Sequence, residues 1–143
     1  MAWALAGLRV LVGVLWLSNL SWKLPPDFGR DDPRGLLYSF RLAEHHALVG
    51  PLRDMMSNVV IPHFTTFGWL VFLTELTAGL LLLLGWHTRL GALIGTGQAI
   101  AITALVSAAP GEWRWGYLML IALSAVPLLG VSDLRLSLAA RRR

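Results

Sequence analysis

The sequence predicts an all-α integral membrane protein, a bundle of four transmembrane helices whose long first extracytoplasmic loop carries short amphipathic helices. Composition is the first indication, because 56% of the 143 residues are hydrophobic and only 14% are charged. A soluble domain of this size needs more charge to cover its surface. The arrangement of the apolar residues is the second indication. They form four stretches, each close to the roughly 20 residues that a helix needs to cross a bilayer.

The four stretches define a single membrane domain over residues 1–143, with predicted spans at about 3–22, 65–85, 90–108 and 113–131. In the first span, Trp3 and Trp22 are separated by about 28 Å of helix, which suits the two aromatic belts of a bilayer. In the fourth span, Pro127 is expected to kink or end the helix. Four spans place both termini on the same side of the membrane.

The long connection between the first two spans covers residues 23–62. It begins with "KLPPDFGRDDPRG", whose prolines, glycines and aspartates predict irregular structure. Two apolar stripes with helical spacing follow, Leu36, Leu37, Phe40, Ala43 and Ala47, and then Leu52, Met55, Met56, Val59 and Val60. Gly50 and Pro51 separate the two stripes, and Pro62 ends the second. We therefore expect two short amphipathic helices that lie on the outer interface or cap the bundle.

Basic residues predict the orientation of the chain. The short turn between the second and third spans contains Arg89, and the chain ends in Arg141, Arg142 and Arg143. Short basic segments remain in the cytoplasm, whereas long loops are translocated largely irrespective of charge. The sequence thus predicts a multi-pass protein of the cytoplasmic membrane with both termini in the cytoplasm. Because this tail supplies much of the net charge of +4, we expect no nucleic-acid partner.

Two ionisable residues fall within predicted spans, Arg9 in the first and Glu75 in the second. Such residues are costly in hydrocarbon, so they face the bundle interior and have partners. Glu75 lies about 15 Å from the inner end of its helix and Arg9 about 9 Å from the same face, so we predict that they pair. One interpretation is a structural ion pair, helped by Thr74 or Thr77, that fixes helix packing. The other is a ligand-binding or proton-handling carboxylate in a pocket between helices.

Several function classes are excluded. The chain has no cysteine, so it holds no disulfide, thiolate nucleophile or iron–sulfur cluster. It also lacks a self-contained catalytic or nucleotide-binding motif. His45 and His46 are adjacent and would point about 100° apart on a helix, while His63 and His87 flank the second span at opposite ends, so we predict no metal site. The less favoured alternative is an outer-loop site that uses Glu44, one of the paired histidines and His63. His63 is instead a candidate donor to a head group or a quinone carbonyl.

Three segments contain charged and small residues in a recognisable order. The first span, "LRVLVGVLWLSNLSWKL", contains Arg9, Gly13, Lys23 and Leu24. The second span and its turn, "ELTAGLLLLLGWHTRLGAL", contain Glu75, Gly79, Gly85, Thr88 and Arg89. The final segment, "GVSDLRL", contains Gly130 and Asp133. Together these segments resemble the DoxX/DoxD-like membrane family, and the resemblance extends over all four predicted spans.

This resemblance implies a four-helix bundle in the cytoplasmic membrane, and related members are described as the membrane subunit of a thiosulfate:quinone oxidoreductase. We therefore expect a small membrane subunit of a redox or respiratory complex, with a second protein subunit as partner and a membrane quinone as candidate cofactor. The candidate ligand-binding residues are Arg9, Glu75, Thr74 and His63, and the first two are also the candidates for a catalytic role. The alternative is a non-catalytic accessory protein that docks or stabilises a partner complex. A transporter has less support, because a single four-helix unit without an inverted repeat leaves little room for alternating access.

Overall fold

The computed structural model describes residues 2–129, and this range contains helices and turns but no strand. Its α-helices are α1 (Ala2–Ser18), α2 (Leu36–His46), α3 (Gly50–Met55), α4 (Phe64–Leu84), α5 (Thr88–Val106) and α6 (Arg114–Ala125). A π-helical turn (Met56–Val60) continues α3, and a 3-10 turn (Val126–Leu129) continues α6. The predicted all-helical class is confirmed. The Gly130 and Asp133 motif, the end of the fourth predicted span and the arginine tail lie outside the described residues.

Two helices, α4 and α5, are long and apolar enough to cross a membrane, with 21 and 19 residues. They lie close to the predicted spans 65–85 and 90–108. The helices of the other two predicted spans are apolar but shorter. Helix α1 ends four residues before Trp22, because the chain continues there in tight turns with i→i−3 hydrogen bonds. Helix α6 changes to the 3-10 turn around Pro127, as the proline predicted.

The long helices pack side by side, α1 against α4, α4 against α5 and α5 against α6. Glycine allows a close approach of α1 to α4, because a Cβ atom added to Gly13 of α1 would lie 2.7 Å from the backbone nitrogen of Leu83 in α4. Helix α6 meets α1 where the indole of Trp16 donates a hydrogen bond to Ser124 Oγ, 3.2 Å away. Both side chains are buried, so this bond links the first and last described helices inside the bundle.

The two amphipathic helices predicted between residues 23 and 62 are confirmed as α2 and as α3 with its π turn. They cover the end of the bundle at which α4 begins, which we call the loop end. Their apolar faces form one buried cluster with the loop before α2 and the start of α4, namely Phe28, Leu36, Phe40, Ala43, Met56, Val60 and Phe64. The cluster also packs against the last turn of α5. Residues 19–63, which we call the loop layer, therefore contribute to the folded core.

Phe28 anchors the irregular segment that precedes α2. Its φ angle of 53° and that of Gly29, 66°, lie in the left-handed region, so the chain turns sharply there. The buried ring occupies the space left by Gly68 of α4, where an added Cβ atom would lie 2.7 Å from it. It also meets the ring of Trp69 edge-on, with the centroids 5.4 Å apart. This contact holds the segment against α4.

Candidate functional site

Glu75 of α4 forms a buried ion pair with Lys23. Both carboxylate oxygens lie 2.7 Å from Lys23 Nζ, and the two side chains are 0% and 3% exposed. Glu75 is close to the middle of its helix, eleven residues from Phe64 and nine from Leu84. A charge at such a position requires a partner of opposite charge and further hydrogen bonds. The buried partner that the sequence predicts for Glu75 is therefore Lys23, a residue that the sequence places in the loop.

Lys23 reaches this position because α1 ends early. After Ser18 the chain continues in tight turns, in which the backbone N–H of Lys23 donates to the carbonyl oxygen of Leu20 at 3.1 Å. The turn of residues 19–23 folds against the middle of α4 instead of extending α1 toward the loop end. The lysine side chain points to the buried carboxylate.

Further polar groups surround the pair. Asn19 Nδ2 lies 3.5 Å from each oxygen of Glu75, and Asn19 Oδ1 accepts a hydrogen bond from the indole of Trp22 at 3.1 Å. The Trp22 ring lies over Lys23, with its centroid 4.2 Å from Nζ, which is the geometry of a cation–π interaction. Gln98 of α5 lines the same cavity as Glu75. We call these five residues the polar cluster.

The polar cluster forms part of the wall of a cavity of about 410 Å³. Apolar side chains of α2, the π turn, α4, α5 and α6 form most of the remaining wall, among them Phe40, Met56, Val60, Phe67, Ile102 and Leu120. Tyr117 of α6 also lines the cavity, and its hydroxyl donates to Glu112. Cavities of this volume with mainly apolar walls and a few polar groups are typical of small-molecule sites.

The chemistry of the cavity suits an organic ligand. It presents an ammonium group, two carboxamides and a carboxylate, which can donate to and accept from a polar head, beside a large apolar surface. Over residues 2–129, no three histidine, aspartate or glutamate side chains come close enough together to hold a metal ion.

The predicted pairing of Arg9 with Glu75 is wrong. Arg9 is fully buried, but its Nη1 donates to the carbonyl oxygen of Leu82 at 2.6 Å. Leu82 lies seven residues from Glu75, or about 10 Å along α4. The depth estimate assumed that both helices end at the same level on the inner side. The close packing of Gly13 on Gly79 instead displaces α1 along α4, so Arg9 lies nearer the C-terminal end of α4.

The other two candidate residues lie outside the cavity. Thr74 Oγ1 lies 2.9 Å from the carbonyl oxygens of Leu70 and Val71, so its hydroxyl bonds to its own helix. His63 is exposed at the loop end of α4, with Nδ1 2.9 Å from the carbonyl oxygen of Val59, and it lines a separate surface groove. Of the four candidates, the structure places Glu75 in the cavity.

Sequence reasoning missed the remaining members of the polar cluster, although two signals were present. Asn19 and Lys23 are four residues apart, so on one helical turn they share a face. A first span that extends to Trp22 places Lys23 in the aqueous loop, whereas the helix ends at Ser18. Gln98 lies within the third apolar stretch. Like Glu75, a polar side chain at such a position needs a buried hydrogen-bond partner, which is the second signal.

Comparison with protein families gives a match over residues 4–141 to the family described as "TQO small subunit DoxD". The matched range includes the ion pair and every residue that lines the cavity. No curated protein and no solved structure matches the chain.

Proposed function

The chain belongs to the DoxD family, described as the TQO small subunit, and from this premise we propose that it binds the head group of a membrane quinone as the small membrane subunit of a quinone oxidoreductase. The observation that carries the proposal is the Lys23–Glu75 pair at the wall of an otherwise largely apolar cavity. A quinone has a flat ring with two carbonyl acceptors and an apolar tail. Its site therefore needs hydrogen-bond donors in one place and apolar walls beyond them.

Lys23 is the principal donor in this proposal. An ammonium group carries three N–H bonds, and Glu75 occupies two of them when each of its oxygens accepts one. The third can donate to a quinone carbonyl, and the carboxamides of Asn19 and Gln98 are additional donors. A quinone held here would supply electron acceptance, and the Lys23 ammonium would stabilise the negative charge that its oxygens gain. Glu75 acts here by holding the ammonium in place.

We place the protein in the cytoplasmic membrane with α1, α4, α5 and α6 as its four spans and both termini in the cytoplasm. The two long apolar helices, the apolar character of α1 and α6 and the basic turn at Arg89 support this arrangement. The loop end then faces the opposite side. Since this chain has no cysteine and no recognisable nucleotide-binding motif, its redox chemistry needs a bound cofactor or a partner, and we assign the supply of electrons to a second subunit.

Purification in mild detergent tests the proposal. The tagged protein is isolated from its native membrane, and mass spectrometry identifies the extracted lipids and the co-purified proteins. We expect the wild type to retain a quinone and a partner subunit, and Glu75→Gln to lose most of the quinone. Glu44→Gln is the matched control, because Glu44 lies on α2 and does not line the cavity. Size-exclusion chromatography checks that each variant assembles.

Two results would contradict quinone binding. One is a wild-type protein that carries no quinone and shows no saturable binding of added quinone. The other is Glu75→Gln protein that assembles and retains the quinone as the wild type does. The alternative function, an accessory protein that stabilises a partner complex, predicts a retained partner without quinone and full function of Glu75→Gln.

A further inference from the structure

Trp22 differs from the other six tryptophans of the chain in that it lines the cavity. Its indole N–H is fixed by Asn19, and its ring covers the ammonium of Lys23. The side chain is 36% exposed, so the ring separates the polar cluster from the surroundings of the protein. The sequence suggested that Trp22 belongs to an aromatic belt, but the structure places it in the wall of the candidate site.

We propose that Trp22 is the aromatic contact of the ligand site and that the ring of a bound quinone lies against its indole. This inference rests on the proposed function and adds a residue that positions the ring. A carbonyl oxygen that accepts from Lys23 Nζ carries its ring within a few ångströms of that atom, and the indole centroid is only 4.2 Å from the same nitrogen.

The chemistry of the two rings supports the contact. Stacked or edge-on aromatic pairs stabilise each other beyond the burial of their area. The indole is the largest aromatic side chain on the cavity wall, and the electron-poor ring of a quinone can lie edge-on to it or against the part of its electron-rich surface that the Lys23 ammonium leaves uncovered. The bond to Asn19 also holds the indole in a defined orientation, so the ligand does not have to order it on binding.

Tryptophan fluorescence tests the contact directly, because a quinone quenches an indole that it touches by accepting an electron from the excited state. The probe is a benzoquinone with a short alkyl chain, added to the purified full-length protein in detergent. Quenching is compared among the wild type, Trp22→Phe and Trp69→Phe, and binding of the same probe, radiolabelled, is measured separately. Trp69 is the matched control, because it is 43% exposed on α4 but does not line the cavity.

We expect a saturable component of quenching in the wild type and in Trp69→Phe, and its loss in Trp22→Phe, which should still bind the labelled probe. Trp22→Leu, which removes the aromatic surface, should weaken binding by about 3- to 10-fold. If Trp22→Phe fails to assemble, Trp22→Tyr replaces it in the same comparison.

The outcomes separate this inference from the proposed function. Saturable quenching that persists in full in Trp22→Phe would show that the ring lies elsewhere, and would overturn the assignment while quinone binding stood. Unchanged affinity of Trp22→Leu would overturn it as well. A wild type that binds no labelled probe would overturn both the contact and the proposed function.

Discussion

The buried pair of Lys23 and Glu75 allows the structural and ligand-binding interpretations to be separated by experiment. The perturbation is a set of three variants, Lys23→Met, Glu75→Leu and the double variant that carries both changes. Met and Leu approximate the volumes of the side chains that they replace, so the packing around the pair is largely retained. Each single variant leaves one charge without its partner, whereas the double variant removes both charges.

The expected magnitudes follow from the burial of the pair. Opposite charges at about 4 Å attract by about 4 kcal/mol at an effective dielectric constant of 20, and the two atoms here are closer, at 2.7 Å. Removing each ion from water costs several kcal/mol, so attraction and desolvation nearly cancel. A lone buried charge retains the cost without the attraction. We therefore expect each single variant to lose about 3–5 kcal/mol of unfolding free energy, and the double variant to stay within about 1–2 kcal/mol of the wild type.

The assay has two readouts on the same detergent-purified samples. Unfolding followed by circular dichroism as denaturant is added gives the stability of each variant. Binding of a labelled short-chain benzoquinone gives the affinity of the cavity. We expect the double variant to unfold like the wild type and to bind the probe at least about 10-fold more weakly, because the ammonium donor is absent; a charge-assisted hydrogen bond is worth about 1.5–3 kcal/mol.

Two results would refute the reasoning. If the double variant is as unstable as either single variant, the cavity depends on the charges themselves, and the balance between desolvation and attraction has been misjudged. If the double variant is stable and binds the probe with wild-type affinity, the pair only holds α4 to the turn of residues 19–23. Glu75 would then be a structural residue, and the ligand would lie elsewhere.

Two further predictions concern glycines, each with a control on the same helix. Gly13→Ala should lose about 1–3 kcal/mol, because the new methyl group would meet the backbone of α4 and force the helices apart. Gly7→Ala meets no atom within 4 Å and should gain up to about 1 kcal/mol from helix propensity. Gly95→Ala should lose about 1 kcal/mol, because its Cβ atom would lie 3.0 Å from the indole nitrogen of Trp16, whereas Gly97→Ala has open space and should be neutral or stabilising. Thermal unfolding in detergent measures all four, and a loss in either control equal to that of its partner would show that helix contact is not the cause.

The sequence predicted most of the secondary structure because the signals are local. The apolar stripes around Phe40 and Met56 predicted the two loop helices, and Pro127 predicted the end of regular helix in α6. The depth of Glu75 in its helix also showed that it needs a buried partner. These predictions need only the period of a helix, the length of a span and the cost of a charge in hydrocarbon.

The sequence could not predict that Lys23 is the ion-pair partner of Glu75, because this pairing depends on two tertiary features. The close approach of Gly13 to α4 sets how far α1 is shifted along the axis of α4. The sequence alone does not determine this shift. The turn after Ser18 interrupts an apolar run, and no proline at that point predicts the interruption. Together they remove Arg9 from the vicinity of Glu75 and bring in Lys23. The same displacement explains why Asn19 and Trp22, which the sequence places at the end of a membrane span, take part in the site.

The cavity exists because the first helix ends beside Glu75. Helix α1 is shorter than α4, with 17 residues against 21, and it is also displaced toward the C-terminal end of α4. Asn19, which follows α1, therefore lies against Glu75 rather than beside Phe64. The half of α4 toward the loop end therefore has no α1 beside it, and the loop layer with its π turn occupies that place. Short helices and irregular chain fill such a space less completely than a continuous helix would, and π turns occur frequently at functional sites. The charged pair lies where α1 ends and the loop layer begins. The early end of α1 therefore accounts both for the polar residues around the pair and for the apolar part of the cavity beside it.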